Sequence, residues 1–166
     1  MNYHSIAPIL GKDPYGVIAY PYDENESEHW AHGLFLGING QCVEYARRWM
    51  VLVRGLTFPA VDHASDLWKL DHVLSIEHNQ KLPFLSIKKN RGLPRVGDLL
   101  IYQIQPDFPH GHVAVVVKVT PTRIGIAEQN MSDEKWNGRY SRWISIKEIQ
   151  DEPGLLGWKT VLETKS

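Results

Sequence analysis

The chain has 166 residues, of which 43% are hydrophobic and 22% charged, with a formal net charge of −1 at pH 7. These values are typical of one globular domain and exclude the strongly basic surface that nucleic acids or anionic membranes attract. No apolar stretch approaches the roughly 20 residues of a membrane span, and the first residues do not fit a signal peptide. We therefore expect a single domain over residues 1–166, located in the cytoplasm, that binds neither nucleic acid nor membrane.

Cys42 is the only cysteine, so the chain can form neither an internal disulfide nor a cysteine-based zinc cluster. A free thiol suits the reducing cytoplasm. The segment that Cys42 begins predicts a helix over about 40–54, with Asn39 as N-cap and Gly55 as the end. Apolar residues follow Cys42 at helical spacing: Ala46, Trp49, Met50 and Val53.

The predicted position of Cys42 favours a reactive thiol. Backbone N–H groups in the first turn of a helix have no intrahelical partner, and the helix dipole is positive there. Both effects stabilise the thiolate, which is the nucleophilic form of cysteine. This stretch alone leaves a second interpretation open, because free cysteines are also common as small buried hydrophobic residues.

Further along, the segment SDLWKLDHVL has apolar residues at helical spacing and predicts a second helix over about 65–76. Apolar segments bounded by turn residues then predict an antiparallel sheet, with strands over roughly 97–104, 112–119, 123–129 and 155–162. WNGRYSRWI (136–144) is predicted to form a turn and an edge strand, and SIKEIQ a short helical turn. These elements indicate an α+β fold.

A thiolate nucleophile usually works with a histidine, and the sequence has eight. Most of them are expected at the surface. His110 lies among prolines and glycine, which predicts a loop. His112 begins the apolar run HVAVVVKV, where a sheet would hold the ring while the side chain faces a cleft. His112 is therefore the better candidate for the general base.

The segment RIGIAEQN, which follows TPT, predicts the antiparallel partner of the strand that begins at His112. A three-residue TPT loop would pair Lys118 with Ile124. Continued along the strands, that register places Asn130 directly opposite His112.

In that register Glu128 lies one diagonal step from His112, and a two-residue loop would bring Gln129 opposite instead. Glu128 is the unusual feature of this segment, because a carboxylate at the end of a buried strand is costly unless it is paired. Exposure of Glu128 at the strand end is the alternative.

Four segments, in this order, resemble the CHAP domain, a family of papain-like cysteine amidohydrolases and peptidases: GQCVEYARRW, VGDLLIY, GHVAVVVKV and IAEQN. Within that family, QCVEYARR, RIGIAEQN, GVIAYPYD and LLGWKT are similar to the amidase domain of glutathionylspermidine synthetase/amidase. The likeness runs from about residue 11 to about residue 162. It implies an α+β, papain-like CHAP fold, in which an N-terminal catalytic helix packs on an antiparallel β-sheet.

The resemblance also implies roles for individual residues. Cys42 becomes the nucleophile, His112 the general base and Glu128 the third member of the catalytic set, with Asn130 as a second polar group nearby. The expected chemistry is cleavage of an amide through a thioester, with no cofactor and no metal.

Two further residues are expected to bind substrate. The resemblance places Arg47 near the substrate groove, where a guanidinium can hold a carboxylate or carbonyl, although a solvated helix face is an equal alternative. The Gln41 side chain or the backbone N–H of Cys42 can donate to the oxyanion. An acidic stretch can attract a cationic leaving amine, or simply form a solvated loop: Asp23, Glu24, Glu26 and Glu28.

The expected partner is a small peptide-amide substrate, and the protein is expected to be a monomer or weak homodimer. The resemblance favours glutathionylspermidine, cleaved to glutathione and spermidine. A peptidoglycan amidase or endopeptidase, including a secreted effector, is the main alternative. A metal hydrolase built on HGH and a non-catalytic binding module are the others.

Overall fold

The computed structural model describes residues 8–163, and antiparallel β-strands make up most of their regular secondary structure. Two small hairpins precede the only α-helix among these residues, α1 (Cys42–Trp49), which continues as a π-helical turn over Met50–Arg54. The hairpins consist of four short strands: β1 (Gly11–Lys12), β2 (Ile18–Ala19), β3 (Glu28–Ala31) and β4 (Leu34–Ile38). No helix within residues 8–163 is long and apolar enough to cross a membrane.

The remaining strands form one sheet in the order β11-β10-β9-β8-β12-β7-β6-β5, and every neighbouring pair is antiparallel. Two 3-10 helices, Ala64–Lys69 and Ile146–Asp151, lie between strands. The strands are β5 (Leu56–Thr57), β6 (His72–Ser75), β7 (Lys81–Lys88), β8 (Leu99–Tyr102), β9 (His112–Val119), β10 (Arg123–Ala127), β11 (Arg142–Ser145) and β12 (Leu155–Val161).

Helix α1 packs against β9, which is buried along most of its length. Alternate residues of β9 join two separate apolar clusters. Val113 and Val115 pack in the cluster that contains Tyr45 and Trp49 of α1, whereas Val116 belongs to the cluster on the other face of the sheet. Apolar contacts on both faces explain why this strand reads as a continuous apolar run. The architecture confirms the predicted α+β class and a helix packed on an antiparallel sheet.

The predicted first helix is confirmed, but its N-cap is wrong. Gln41 is the N-cap, while Asn39 lies in the preceding turn and its amide donates to Ser27 Oγ at 3.0 Å. The end at Gly55 is confirmed: its φ of 65° is left-handed, a conformation that glycine adopts without steric cost.

The predicted second helix over 65–76 is wrong. A 3-10 helix covers Ala64–Lys69, Leu70 is already extended, and β6 follows. The apolar side chains of this segment fit a helical spacing, but β6 pairs with both β5 and β7, with Val73 opposite Leu82. Pairing with distant strands therefore overrode the local pattern.

The strand predictions are confirmed in position, including the edge strand β11 and the helical turn that follows it. The register beside the β9–β10 turn differs from the expected one, because Lys118 pairs with Gly125 rather than Ile124. A bulge after Gly125 then shifts the pairing by one residue, so that Ala127 lies opposite Val115. The bulge thereby restores the expected register beside Glu128.

Candidate active site

Three elements bring the predicted catalytic groups together. Cys42 is the first residue of α1, His112 is the first residue of β9, and Glu128 follows directly after β10. His112 is 1% exposed and Glu128 is 1% exposed, whereas Cys42 is 8% exposed and lines a cleft. Cys42 and His112 both line that cleft, whereas Glu128 does not, so the thiol and the imidazole are the groups that a substrate can meet.

His112 Nε2 donates a hydrogen bond to Glu128 Oε1 at 2.8 Å. An ionised carboxylate can only accept, so this contact fixes the proton on Nε2 and leaves Nδ1 as the ring nitrogen available to the Cys42 thiol. Phe108 stacks on the imidazole with ring centroids 4.8 Å apart and an angle of 12° between the planes. The ring is therefore held in one orientation by a polar contact and by packing.

The electrostatics of the site favour a thiolate–imidazolium pair. Burial disfavours the thiolate, but the hydrogen bond to His112 and the charge of that ring lower the pKa of Cys42 below its ordinary value. Burial likewise opposes the imidazolium, yet hydrogen bonds to Cys42 and Glu128 raise the pKa of His112 to about 9. The Glu128 pKa, which burial would raise, falls to about 2 because His112 and Arg142 stabilise its anion.

Glu128 accepts hydrogen bonds on both carboxylate oxygens. Oε2 accepts from Ser141 Oγ at 2.6 Å and from Arg142 Nε at 3.0 Å, and Oε1 accepts from Arg142 Nη2 at 3.2 Å as well as from His112. Of the two predicted acceptors, Glu128 rather than Asn130 contacts the imidazole. The predicted diagonal position of Glu128 reaches His112 because the carboxylate lies where β10 has ended.

Two residues of the site were not predicted from the sequence: Ser141, which directly precedes edge strand β11, and Arg142, which begins it. Arg142 also donates to Glu152 Oε1 at 2.9 Å and to the Tyr102 hydroxyl at 3.0 Å, so that several polar groups lie behind the Glu128 carboxylate. The available signal was a basic residue, Arg142, within the segment 136–144 that was predicted to form a turn and an edge strand.

The cleft that Cys42 lines has a volume of about 450 Å³. Gln41, Arg47 and Asn130 all lie in its wall. Asn130 is exposed and adopts a φ of 58°, a left-handed conformation in which it ends the extended chain after β10. The predicted substrate-binding residues thus border the cleft, but they do so in different ways.

Arg47 is 2% exposed, so a solvated helix face is excluded for this residue. Its three nitrogens donate to backbone carbonyls of Leu36 at 2.7 Å, Phe58 at 3.2 Å and Pro59 at 3.0 Å. Burial lowers the pKa of Arg47 to about 10. The guanidinium joins β4 to the segment after β5 and shapes the wall of the cleft.

Gln129, the residue after Glu128, connects the two halves of the site. Its amide nitrogen donates to the Gln41 carbonyl at 2.9 Å and to Glu44 Oε1 at 3.2 Å, and its amide oxygen accepts from Arg48 at 2.9 Å. Gln129 is fully buried. The end of β10 is therefore tied to the start of α1, next to the nucleophile.

The acidic stretch over residues 23–28 does not line the cleft. Asp23 instead accepts hydrogen bonds within its own turn, and Glu28 accepts from the Trp30 indole at 3.1 Å. The carboxylates that do line the cleft are Asp62 and Asp107.

No group of three or more His, Cys, Asp or Glu side chains within residues 8–163 is arranged to hold a metal ion. His110, the other histidine of HGH, stacks on His63, and their Nδ1 atoms are 2.9 Å apart. His110 of the HGH segment thus contacts one further histidine, and no third ligand joins them among the described residues.

The sequence model of the CHAP domain matches residues 34–130. Glutathionylspermidine synthase of Crithidia fasciculata is 31% identical over 139 residues, which cover 76% of this chain and 19% of that protein. Trypanothione synthetase of the same organism is 28% identical over 90% of this chain and 27% of its own. The bifunctional glutathionylspermidine synthetase/amidase of Escherichia coli (strain K12) is 28% identical, over 90% of this chain and 28% of that protein.

The chain therefore spans between 19% and 28% of the length of these relatives. Among solved structures, Ly7917 with the hydrolyzing product of MDP superimposes with a TM-score of 0.50 at 18% identity, covering 74% of this chain and 54% of that one. At this level of identity, the likeness concerns the fold.

Proposed function

Because the chain belongs to the CHAP domain family of amidohydrolases, we propose that it cleaves an amide bond with Cys42 as nucleophile. The observation that carries this proposal is the buried series of contacts from Cys42 through His112 to Glu128, with the sulfur at the cleft. A cysteine that only fills space in the core has no partner that favours its thiolate form. Here a charged partner and the first helical turn both do.

The reaction begins when the Cys42 thiolate attacks the amide carbonyl carbon. The developing oxyanion lies near the backbone N–H of Cys42, which the helix leaves without an intrahelical partner. The Gln41 carbonyl accepts from Tyr45 N and from Gln129, which fixes this peptide plane and points the N–H of Cys42 away from the helix.

The His112 imidazolium then gives its Nδ1 proton to the leaving amine nitrogen, the C–N bond breaks, and a thioester to Cys42 remains. His112 next removes a proton from a water molecule, whose oxygen attacks the thioester carbonyl. The carboxylic acid leaves and the thiolate–imidazolium pair is restored. Throughout, Glu128 keeps the ring in one tautomer and stabilises its charged form.

For the substrate, we propose a conjugate in which the leaving amine is a polyamine, as in glutathionylspermidine. Two observations support this choice. Two of the relatives are named for glutathionylspermidine. The cleft carries Asp62 and Asp107, while its arginine donates to backbone carbonyls. Two carboxylates at the cleft wall suit a cationic leaving group.

The test is to incubate the purified protein with glutathionylspermidine and, in parallel, with peptidoglycan stem peptides, and to identify products by mass spectrometry. Cys42→Ala is the matched control, and prior treatment with iodoacetamide and with a chelator separates thiol from metal chemistry. Release of glutathione and spermidine by the wild type alone supports the proposal. Cleavage of stem peptides only would assign the cell-wall function instead.

The role of the acidic wall is tested by an Asp62→Asn, Asp107→Asn double variant. It should raise KM for glutathionylspermidine while leaving KM unchanged for a glutathione amide with an uncharged amine. Equal effects on both substrates would show that these carboxylates do not recognise the amine.

A further inference from the structure

Arg142 binds both carboxylate oxygens of Glu128, one of which also accepts from His112. Nε and Nη2 contact the two carboxylate oxygens at 3.0 and 3.2 Å, an arrangement that restricts rotation of the carboxylate. Ser141 donates to one of the same oxygens. Glu128 therefore has one position from which it can accept the proton of His112 Nε2.

The Arg142 guanidinium is itself held by two residues other than Glu128, namely Glu152 and Tyr102. Its Nη1 donates to Glu152 Oε1 at 2.9 Å, and its Nη2 donates to the hydroxyl of Tyr102, which in turn donates to Glu152 at 3.0 Å. Tyr102 pairs with His112 in the sheet, and their rings are 5.6 Å apart. The guanidinium is thus tied to the strand on the other side of the catalytic histidine.

Charges alternate along this path, from the Cys42 thiolate through imidazolium, carboxylate and guanidinium to the Glu152 carboxylate. A buried carboxylate without its own cation would hold the imidazolium proton more tightly. The positive charge of the Arg142 guanidinium offsets part of the attraction between the Glu128 carboxylate and the imidazolium. His112 then remains acidic enough to protonate a leaving amine.

Resting on the proposed function, we propose that Arg142 is a positioning residue that keeps Glu128 ionised and fixed, and that its charge sets how readily His112 releases its proton. Glu152 acts in the opposite sense through Arg142, because it offsets part of the guanidinium charge. The two residues would together adjust the thiolate–imidazolium pair from a site that substrate does not touch.

The test compares Arg142→Met, Arg142→Lys and Glu152→Gln with the wild type. The rate at which iodoacetate alkylates Cys42 is followed from pH 5 to 11. This anionic reagent needs the thiolate and is attracted by the imidazolium, so its rate falls as His112 loses its proton. The measurement needs no substrate, and kcat is determined separately on the amide that the wild type cleaves.

In Arg142→Met the high-pH decline should move upward by about one pH unit, because a positive charge near the imidazolium is gone. Arg142→Lys keeps the charge but cannot bind both oxygens, so its decline should stay near the wild-type position. Both variants should lose about 10- to 100-fold in kcat because Glu128 is less well held. Glu152→Gln should move the decline slightly downward.

Arg123→Met is the matched control, since Arg123 lies on the neighbouring strand and its guanidinium stacks on Trp143 instead. Thermal unfolding checks that each variant is folded. If Arg142→Met does not fold, the shift of the decline in Glu152→Gln decides the question. A uniform loss at every pH with the decline unmoved in all variants would overturn the proposal. A wild-type Cys42 that alkylates like a free thiol would instead overturn the proposed function.

Discussion

Glu128→Gln is the substitution that most directly tests the catalytic set. In the wild type, the high-pH limb of the activity profile should lie near the His112 pKa of about 9. The glutamine keeps the shape of the side chain but removes the negative charge, so the imidazolium becomes easier to deprotonate and that pKa falls. A charge-assisted hydrogen bond contributes about 1.5–3 kcal/mol, so the limb should move down by about one to two pH units.

The same substitution should lower kcat by up to about 10⁴-fold, because an amide in place of the carboxylate can hold the imidazole in the wrong tautomer. It also leaves Arg142 beside an uncharged amide in a buried site. Breaking a buried ion pair costs about 3–5 kcal/mol, which for a chain of this size corresponds to a fall in Tm of about 6–20 °C. The assays therefore belong at a temperature where the variant is shown to be folded.

The experiment measures kcat and kcat/KM from pH 5 to 10 for wild type, Glu128→Gln and Asn130→Gly. Glycine is the suitable replacement at position 130, because a φ of 58° is tolerated by asparagine and glycine but strains alanine. The Asn130 variant should keep the wild-type upper limb and change mainly KM. An unmoved upper limb in Glu128→Gln together with a large loss in kcat for Asn130→Gly would refute the reasoning and transfer the orienting role to Asn130.

Cys42→Ala should keep the fold, with a Tm near that of the wild type, and lose about 10³-fold or more in kcat; normal turnover would end the thiol mechanism. His112→Ala should be as inactive as Cys42→Ala, whereas His110→Ala should change mainly KM, and an exchange of these two phenotypes would show that the base is misassigned. In an acid titration monitored by circular dichroism, the free energy of unfolding should fall between about pH 4.5 and 2. The Glu128 contribution to this fall is about 1.4 kcal/mol for each pH unit, because the folded state holds the Glu128 pKa near 2. Glu128→Gln should lack that contribution, and equal acid sensitivity in the two proteins would contradict the assigned ion pair.

Local sequence determined the parts of this protein that depend on neighbours along the chain. The helix after Cys42, its end at Gly55 and the buried strand from His112 each follow from spacing, turn chemistry or a continuous apolar run. Cys42 and His112 stood out because each opens such an element. The diagonal position of Glu128 followed from counting along one hairpin.

Tertiary structure decided whatever depends on residues far apart in sequence. The segment after Lys69 became a strand because β5 and β7 supply hydrogen-bonding partners that no local spacing reveals. The bulge after Gly125 set the register beside Glu128. The position of Arg47 on its helix was compatible with either a solvated or a buried side chain. Backbone carbonyls of two other segments bind the guanidinium and hold it in the wall of the cleft.

The set behind Glu128 has the same origin. Arg142 reaches the carboxylate because β11 lies next to β10, and its other contacts come from β8 and from the end of the second 3-10 helix. Helix spacing and strand alternation report which face a side chain occupies within one element. They carry no information on which elements meet, because that choice depends on burial and hydrogen bonding summed over the whole fold.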